Sequence, residues 1–587
     1  MENLYNRIIQ FKFFNKLPKK VEINSIFYSF SKEERVVFFT LLLVLIVSTV
    51  AILQTINRHF MVSVPAYGGS LSEGIIGTPR FINPILAFSD TDQDLVALVY
   101  SGLMRKNLDG SLVPDLAEKY EVSPDGLSYT FTLKDNIYFH NDAPVTIDDI
   151  IFTINQIKDP IIKSPHRGNW EGVSVTKIDE KNIKFTLRQP YASFLENTSL
   201  GILPKDLWDT TPLELNNYNT SPIGSGPYMI ESSSKESSGI INYYELRAFK
   251  KFALGKPHIK SLNLYFYLNE TDLIKALKNG EIDQASSLTP ENTELLKDSE
   301  KNIQSAALSR IFGLFFNQNV NQIFVDKVIV NAIDQAIDKD RIIQDVLKGY
   351  GTAIDYPIPQ SIIDYQKINS ASKISHEQKL QKIRDILAQN GWNKNSEGFL
   401  EKSSTDNKKT TTSNIEFSIS TSSSPELVKA ANIIKENLLA IGIKVDIKTF
   451  EVGNLNQDVI RPRKYEALLF GQIINNESDL YAFWHSSQRK DPGLNIAMYT
   501  NAKVDKILED AFSINNEEER VKKYIQFEEE IKKDMPAIFL YSPNFIYVVS
   551  KDLRGLDIRS ITSPSNRFAN VYSWYIKTDN IWKIFIK

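Results

Sequence analysis

The side chains able to do chemistry are few and scattered. Six histidines (His59, His140, His166, His258, His376, His485) include no pair at the i, i+4 spacing of a helical metal site. They are read as structural or surface residues, and no metal ligand is assigned. Gly224-Ser225-Gly226 lacks the Gly-Lys-Ser/Thr ending of a phosphate loop and reads as a tight turn. No G-x-S-x-G nucleophile elbow occurs. The chain holds no cysteine, which excludes a disulfide framework, a thiolate metal site, a cysteine nucleophile and a thioether lipid anchor. Its 71 carboxylates are the one plentiful catalytic resource, and a working acid–base pair among them stays open. Nothing demands an enzyme, so no catalytic residue and no cofactor is assigned.

The surrounding composition is that of an ordinary globular protein. With 587 residues, 42% apolar and 24% charged, the chain suits about three to five compact units at roughly 100–200 residues each. A net charge of −3 argues against a nucleic-acid partner, which calls for a basic surplus. Tyrosine (25), phenylalanine (33) and tryptophan (6) supply enough aromatic surface for a core and for the walls of a ligand cleft.

Between Arg35 and Arg58 lie 22 residues without Asp, Glu, Lys or Arg. As a helix that run spans about 33 Å, enough for a bilayer core of roughly 30 Å. Residues 36–57 are therefore expected to form a single membrane anchor. The preceding 35 residues hold seven basic groups (Arg7, Lys12, Lys16, Lys19, Lys20, Lys32, Arg35) against four acidic ones. The positive-inside rule keeps that leader in the cytoplasm and exports the body, periplasmic or at the cell surface. The exported part then carries −6. An uncleaved anchor is expected rather than a signal peptide. The run exceeds the usual apolar length of roughly 7–15, and the nearby small-residue site Thr49-Val50-Ala51 lies inside it.

The rest reads as mixed α and β. Alternating patterns at 127–133, 183–187, 262–268, 415–419 and 445–450 predict strands. Ser424-Pro425 opens a helix with Leu427, Ala431, Ile434, Leu438 and Ile441 on one face and Gly442 at its stop. Thr146 and Asp149 form a capping box ahead of Ile150, Ile151, Ile154 and Ile157. A third helix starts acidic at Glu517–Glu519 and ends basic at Lys532 and Lys533. The Ser/Thr-rich stretch 402–414 reads as a solvated surface loop, and residues 58–67 as a linker.

From Arg80 onward the sequence resembles solute-binding protein family 5, the peptide-binding subunits of ABC importers. The likeness is carried by Phe81–Pro84, Leu95–Leu103, Pro114–Tyr120, Ser123–Lys134 and Tyr138–Asp149, then Gly224–Tyr228, Ala276–Asp283 and Val325–Asp340. Asp142-Ala143 stands where the family has Asp-Gly, and Lys327 and Asn331 also depart from its pattern. The resemblance persists to about Leu553.

It implies an α/β, two-lobed periplasmic-binding-protein-like fold of the class with an extra subdomain, preceded here by the transmembrane helix. Lobe 1 would combine 68–105, 198–303 and 541–587, with the subdomain at 106–197. Lobe 2 would be 304–540. Family members hold an extended peptide whose backbone pairs with segments of both lobes, a form of β-augmentation. The matching positions are Phe88, Ser89 and Asp90 in lobe 1 and Gly471, Gln472 and Ile473 in lobe 2. Many members place an Asp just beyond the second segment, against the peptide α-amino group. Here Ile474 or Asn475 stands in its place, so recognition of a free N-terminus is in doubt. Glu477 or Asp479 are the candidate substitutes. Trp484 either walls the cleft or anchors a core helix.

The resulting expectation is a membrane-anchored, extracytoplasmic, monomeric binding protein that captures a peptide and passes it to the permease subunits of an ABC importer. Two alternatives stand beside it. One is the same fold binding a non-peptide solute (metal chelate, sugar or opine), and the other is a tethered hydrolase.

Overall fold

The computed structural model describes residues 30–585 apart from 108–109, 192, 298–300, 360–375, 407–408, 475, 515 and 559. The leader residues Arg7 to Lys20, Asn475 and the His376 side chain lie outside the described residues. The chain divides into two compact units, residues up to Ala66 together with Lys577 onward, and Tyr67–Ile576.

The smaller unit begins with the helix Lys32–Phe60, capped by a Ser31/Glu34 box and without a buried residue. Among the described residues it is the one helix long and apolar enough to cross a membrane. Residues 61–66, expected within a linker, instead form the strand Met61–Ala66, antiparallel to Lys577–Trp582. Every residue of the first strand is paired, from Met61↔Trp582 to Ala66↔Lys577. The segment from Lys577 therefore belongs with the helix rather than with the lobe that sequence resemblance assigned it to.

The larger unit is built on a 13-stranded sheet that runs through both lobes. Its central member is the long strand Ala537–Val549. The first part of that strand pairs with Arg310–Phe316 (Leu314↔Ile538, Phe312↔Tyr541). Its second part pairs with Asn302–Leu308, from Ala307↔Asn544 to Asn302↔Val549. Buried members of two hydrophobic cores come from 71–306 and 545–574, and those of two others from 311–541. The chain thus passes from one lobe to the other at Ser309 and at Ser542-Pro543. Both crossings are braced by hydrogen bonds: Ser542 Oγ donates to the Leu308 carbonyl at 2.9 Å, and the Ile474 N–H to the Ser309 carbonyl at 2.9 Å.

Local sequence accounts for the elements around this frame. Ser128–Leu133 buries Tyr129, Phe131 and Leu133 on one face, as a period of two requires. It sits in a four-stranded sheet with Ala117–Val122, Asn182–Thr186 and Ser174–Lys177. The helix Ile147–Lys158 carries the expected Thr146/Asp149 box. The helix Pro425–Ala440 buries Ala431, Ile434 and Leu438. Ser424 precedes it without making a side-chain cap bond. The stretch expected as a loop at 402–414 is a hairpin, Leu400–Asp406 with Lys409–Asn414. Its β-branched threonines favour extended backbone despite the absence of an apolar period.

Gly224 and Gly226 are required by close approach rather than by a turn conformation. A Cβ on Gly224 would stand 2.1 Å from the Val99 carbonyl oxygen. His140 is sealed over this contact, its Nε2 3.1 Å from the Gly226 oxygen. Burial pushes its imidazole down to about 4, as expected of a neutral structural histidine.

Candidate functional site

The strand Ala467–Ile473 places Gly471, Gln472 and Ile473 at an incompletely covered sheet edge. On one side it pairs with Arg310–Phe316 along its full length, Gly471 opposite Phe312 and Ile473 opposite Arg310. On the other, the parallel strand Glu416–Ser422 covers only Ala467 and Leu468. The Thr421 hydroxyl extends that cover by one residue, donating to the Leu469 carbonyl at 2.9 Å. Among the described residues no strand continues along Phe470–Ile473 on this side. An exposed row of main-chain donors and acceptors is the physical requirement for adding a further strand.

A cavity of about 640 Å³ has Gly471, Gln472 and Ile473 in its wall. Its opposite side is the π-helical turn Leu455–Ile460, a conformation common at functional sites. Arg463 props that wall: its guanidinium donates to the carbonyls of Ile460 (2.7 Å), Arg489 (3.1 Å) and Gly493 (2.6 Å). Gly471 has its own steric reason. A Cβ there would meet the Phe312 ring at 2.7 Å, and that ring is stacked on Tyr541 at 4.9 Å.

The lobe 1 positions sit at the entry to a helix. Ser89 caps Asp90–Val99, its hydroxyl accepting from the Asp92 N–H at 3.1 Å and donating to Asp92 Oδ2 at 2.8 Å. The other Asp92 oxygen accepts from the backbone N–H groups of Arg80 and Phe81. This holds the loop rigidly, yet Phe88 at its tip is 81% exposed. Asp90 is also exposed, in the first turn of the helix.

Three other candidates are decided by packing. Trp484 is fully buried against Phe315, Tyr499, Phe527 and Phe539, so it is a core anchor and not a cleft wall. Ile474 is fully buried as well. Glu477 is ion-paired to Arg520, and burial raises its carboxyl with Arg520 opposing. That pairing removes it as a free partner for an ammonium group. Asp479 opens the short helix Asp479–Trp484 and borders a groove of about 540 Å³.

That groove lies between residues 168–191 and 476–512. Tyr191 stacks on Phe512 at 4.9 Å and 8°, and Ser478 Oγ donates to Ser193 Oγ at 3.1 Å. The Glu196 carboxyl is raised by burial and by Glu477 and Asp479, with Lys106 and Arg520 opposing. Neither Phe312, the Leu455–Ile460 turn nor the Tyr191–Phe512 stack was identifiable from sequence. No local pattern distinguishes them from ordinary core and loop residues. Among the described residues no group of three or more His, Cys, Asp or Glu is placed to hold a metal.

Residues 111–492 match the family described as bacterial extracellular solute-binding proteins, family 5. The chain belongs to that family. A curated relative, the oligopeptide-binding protein AppA of Bacillus subtilis, is 28% identical over 523 residues, covering 87% of this chain and 92% of its own. The solved structure of B. subtilis AppA with a nonapeptide superposes with a TM-score of 0.64 at 26% identity, covering 88% of this chain and 100% of that one. NikZ of Campylobacter jejuni, solved with Ni(L-His), gives a TM-score of 0.66 at 28% identity over 86% and 99%. Family 5 proteins are binding proteins, and the two-lobed fold here is theirs.

Proposed function

We propose that this family 5 protein captures an extended peptide between its lobes and delivers it to an ABC importer, while the helix Lys32–Phe60 anchors it to the membrane. The observation that carries the peptide reading is the uncovered edge at Phe470–Ile473 beside a cavity of about 640 Å³. Main-chain pairing there gives affinity without regard to peptide sequence. The crossings at Ser309 and Ser542-Pro543 are the points about which lobes divided near 303/304 and 540/541 would close. The body works as a monomer in this reading.

The end of the helix Lys32–Phe60 is also tied to the C-terminal strand. Trp582 Nε1 donates to Asn57 Oδ1 at 2.7 Å and its ring stacks on Phe60.

Thermal stability of the chain against pooled short peptides tests the ligand class. A peptide at 100 times its Kd is expected to add about 2.7 kcal/mol of stability, and no stabilisation by any pool overturns the reading. With Ile474 buried, Glu477 held by Arg520 and Asp479 Oδ2 accepting from the Asn476 N–H, none of these positions offers an uncommitted carboxylate to an α-ammonium. N-acetylated and free-amine forms of one peptide are therefore expected to stabilise the protein equally. A marked loss on acetylation would show that an ammonium partner exists after all.

The same observation favours a second reading, a solute without a free amino terminus, including a metal chelate of the kind named for NikZ. Native mass spectrometry of gently purified protein separates the two by the mass of the retained ligand.

A further inference from the structure

We infer that the segment 582–585 is a second membrane-docking element, a lipid-interface foot clasped to the end of the anchor helix. The inference rests on the membrane-anchor reading of Lys32–Phe60 and extends it to residues more than 500 positions away.

Four observations converge on it. First, the last charge-free residue of the helix is Asn57, followed at once by Arg58 and His59. If the helix spans a bilayer, this is the level of the lipid headgroups. Second, Trp582 is fastened at that level by its indole bond to Asn57 and by its stacking on Phe60, centroids 6.0 Å apart and 24° between planes. Tryptophan with its N–H satisfied and its ring half in contact is the side chain favoured where hydrocarbon gives way to headgroups.

Third, the apolar side chains around it are turned out. Trp582 is 39% exposed, Ile584 75% and Phe585 72%, alongside exposed Phe60 and Val62. All five cluster in chain or in register about the pair Met61↔Trp582. Fourth, the charge around them suits a phosphate-bearing surface. Residues 577–585 hold two lysines (Lys577, Lys583) against one aspartate, and Arg58 adds to them. Apolar side chains flanked by lysines are the pattern of an interfacial element.

The occupant is a lipid surface rather than a protein because the patch is continuous with the span itself. The two-stranded ribbon Met61–Ala66/Lys577–Trp582 belongs to no larger sheet. An isolated pair of strands is marginal in water, and embedding Trp582, Ile584 and Phe585 in the headgroup boundary supplies the missing apolar contact.

The absence of native cysteine makes the test direct. Full-length Ile584→Cys is labelled with a nitroxide and reconstituted in vesicles of phosphatidylethanolamine and phosphatidylglycerol. Its relative accessibility to oxygen and to a water-soluble nickel chelate reports depth. Leu45→Cys serves as the reference within the span, and Ser237→Cys, exposed on the body, as the aqueous reference. Phe585→Cys repeats the measurement at a second exposed site.

The expected result is a label at 584 and at 585 roughly 5–10 Å into the headgroup–acyl boundary, with Leu45 in hydrocarbon. Labels at 584 and 585 as chelate-accessible as Ser237, with Leu45 still in hydrocarbon, overturn the foot and leave the anchor standing. A water-exposed Leu45 label overturns the anchor and the foot together.

Discussion

Replacing Arg567 with Met is expected to destabilise the body by about 3–5 kcal/mol, because it strips a fully buried charge cluster of its cation. Arg567 has no exposed surface, and its guanidinium makes two bonds of 2.6 Å to the carboxylate of Asp94. It also bonds Glu73 Oε1 at 2.9 Å. The second Glu73 oxygen accepts from Tyr547 at 2.8 Å and Gln284 at 2.6 Å. The cluster thus ties together the strand Ser70–Ile76, the helix Asp90–Val99 and the long strand Ala537–Val549. Without Arg567 two carboxylates are left in a space that excludes water. Glu73→Gln leaves a neutral Arg567–Asp94 pair and is expected to cost less. Denaturant titration followed by tryptophan fluorescence checks both, and equal costs for the two variants would refute the account.

The same cluster sets a pH dependence of definite sign. Burial pushes Asp94 up from 3.8 to about 6, against the opposing pull of Arg567. A carboxyl raised in the folded state binds its proton more tightly there than in the unfolded chain. Its stabilising contribution is therefore complete below pH 3.8 and lost as the pH rises through about 6. Asp94→Asn is expected to flatten the change in stability between those values. An unchanged slope in the variant would assign the titration elsewhere.

Phe88→Ala is expected to weaken ligand binding by about 10- to 100-fold while leaving the melting temperature unchanged. The side chain is 81% exposed, so truncating it removes almost no packing from the free protein. Its loop is nevertheless held rigidly by Ser89 and Asp92. Burying an aromatic side chain contributes about 1.5–3 kcal/mol, and lobe closure over a ligand is the event that would bury this one. Calorimetry with a peptide found by the stability screen measures the change. Unaltered affinity would place Phe88 outside the closed cleft, and a lowered melting temperature would show that it packs within the free protein.

How far these conclusions were legible in the sequence depends on the range of the interaction. The strands near 128, 183, 262, 416 and 445 follow from alternation among neighbours, the helices after Thr146 and Ser424 from start signals and apolar spacing, and the helix from Glu517 from its acidic start and basic end. The hairpin at 400–414 was not legible, because no apolar period marks it and its threonines extend by backbone preference. The candidate site divides in the same way. Resemblance pointed to Phe88–Asp90 and Gly471–Ile473, but a linear pattern cannot tell a free strand edge from a covered one. That distinction rests on where Glu416–Ser422 stops pairing. Trp484 and Glu477 read equally well as cleft residues until four rings around one and Arg520 beside the other assigned them to the interior.

By itself the sequence established a charge-free span long enough for a bilayer, the lack of any cysteine, an α/β body and its family. Those properties are local, or are carried by ordered motifs. Tertiary structure alone decided that the edge along Phe470–Ile473 is open among the described residues, that Arg567 serves Glu73 and Asp94, and that Trp582 rests on the end of the helix Lys32–Phe60. The physical reason is separation along the chain. Arg567 and Asp94 lie 473 residues apart and Trp582 and Asn57 lie 525 apart. Contacts at that distance come from the packing of the whole chain, and no stretch of neighbouring residues encodes them.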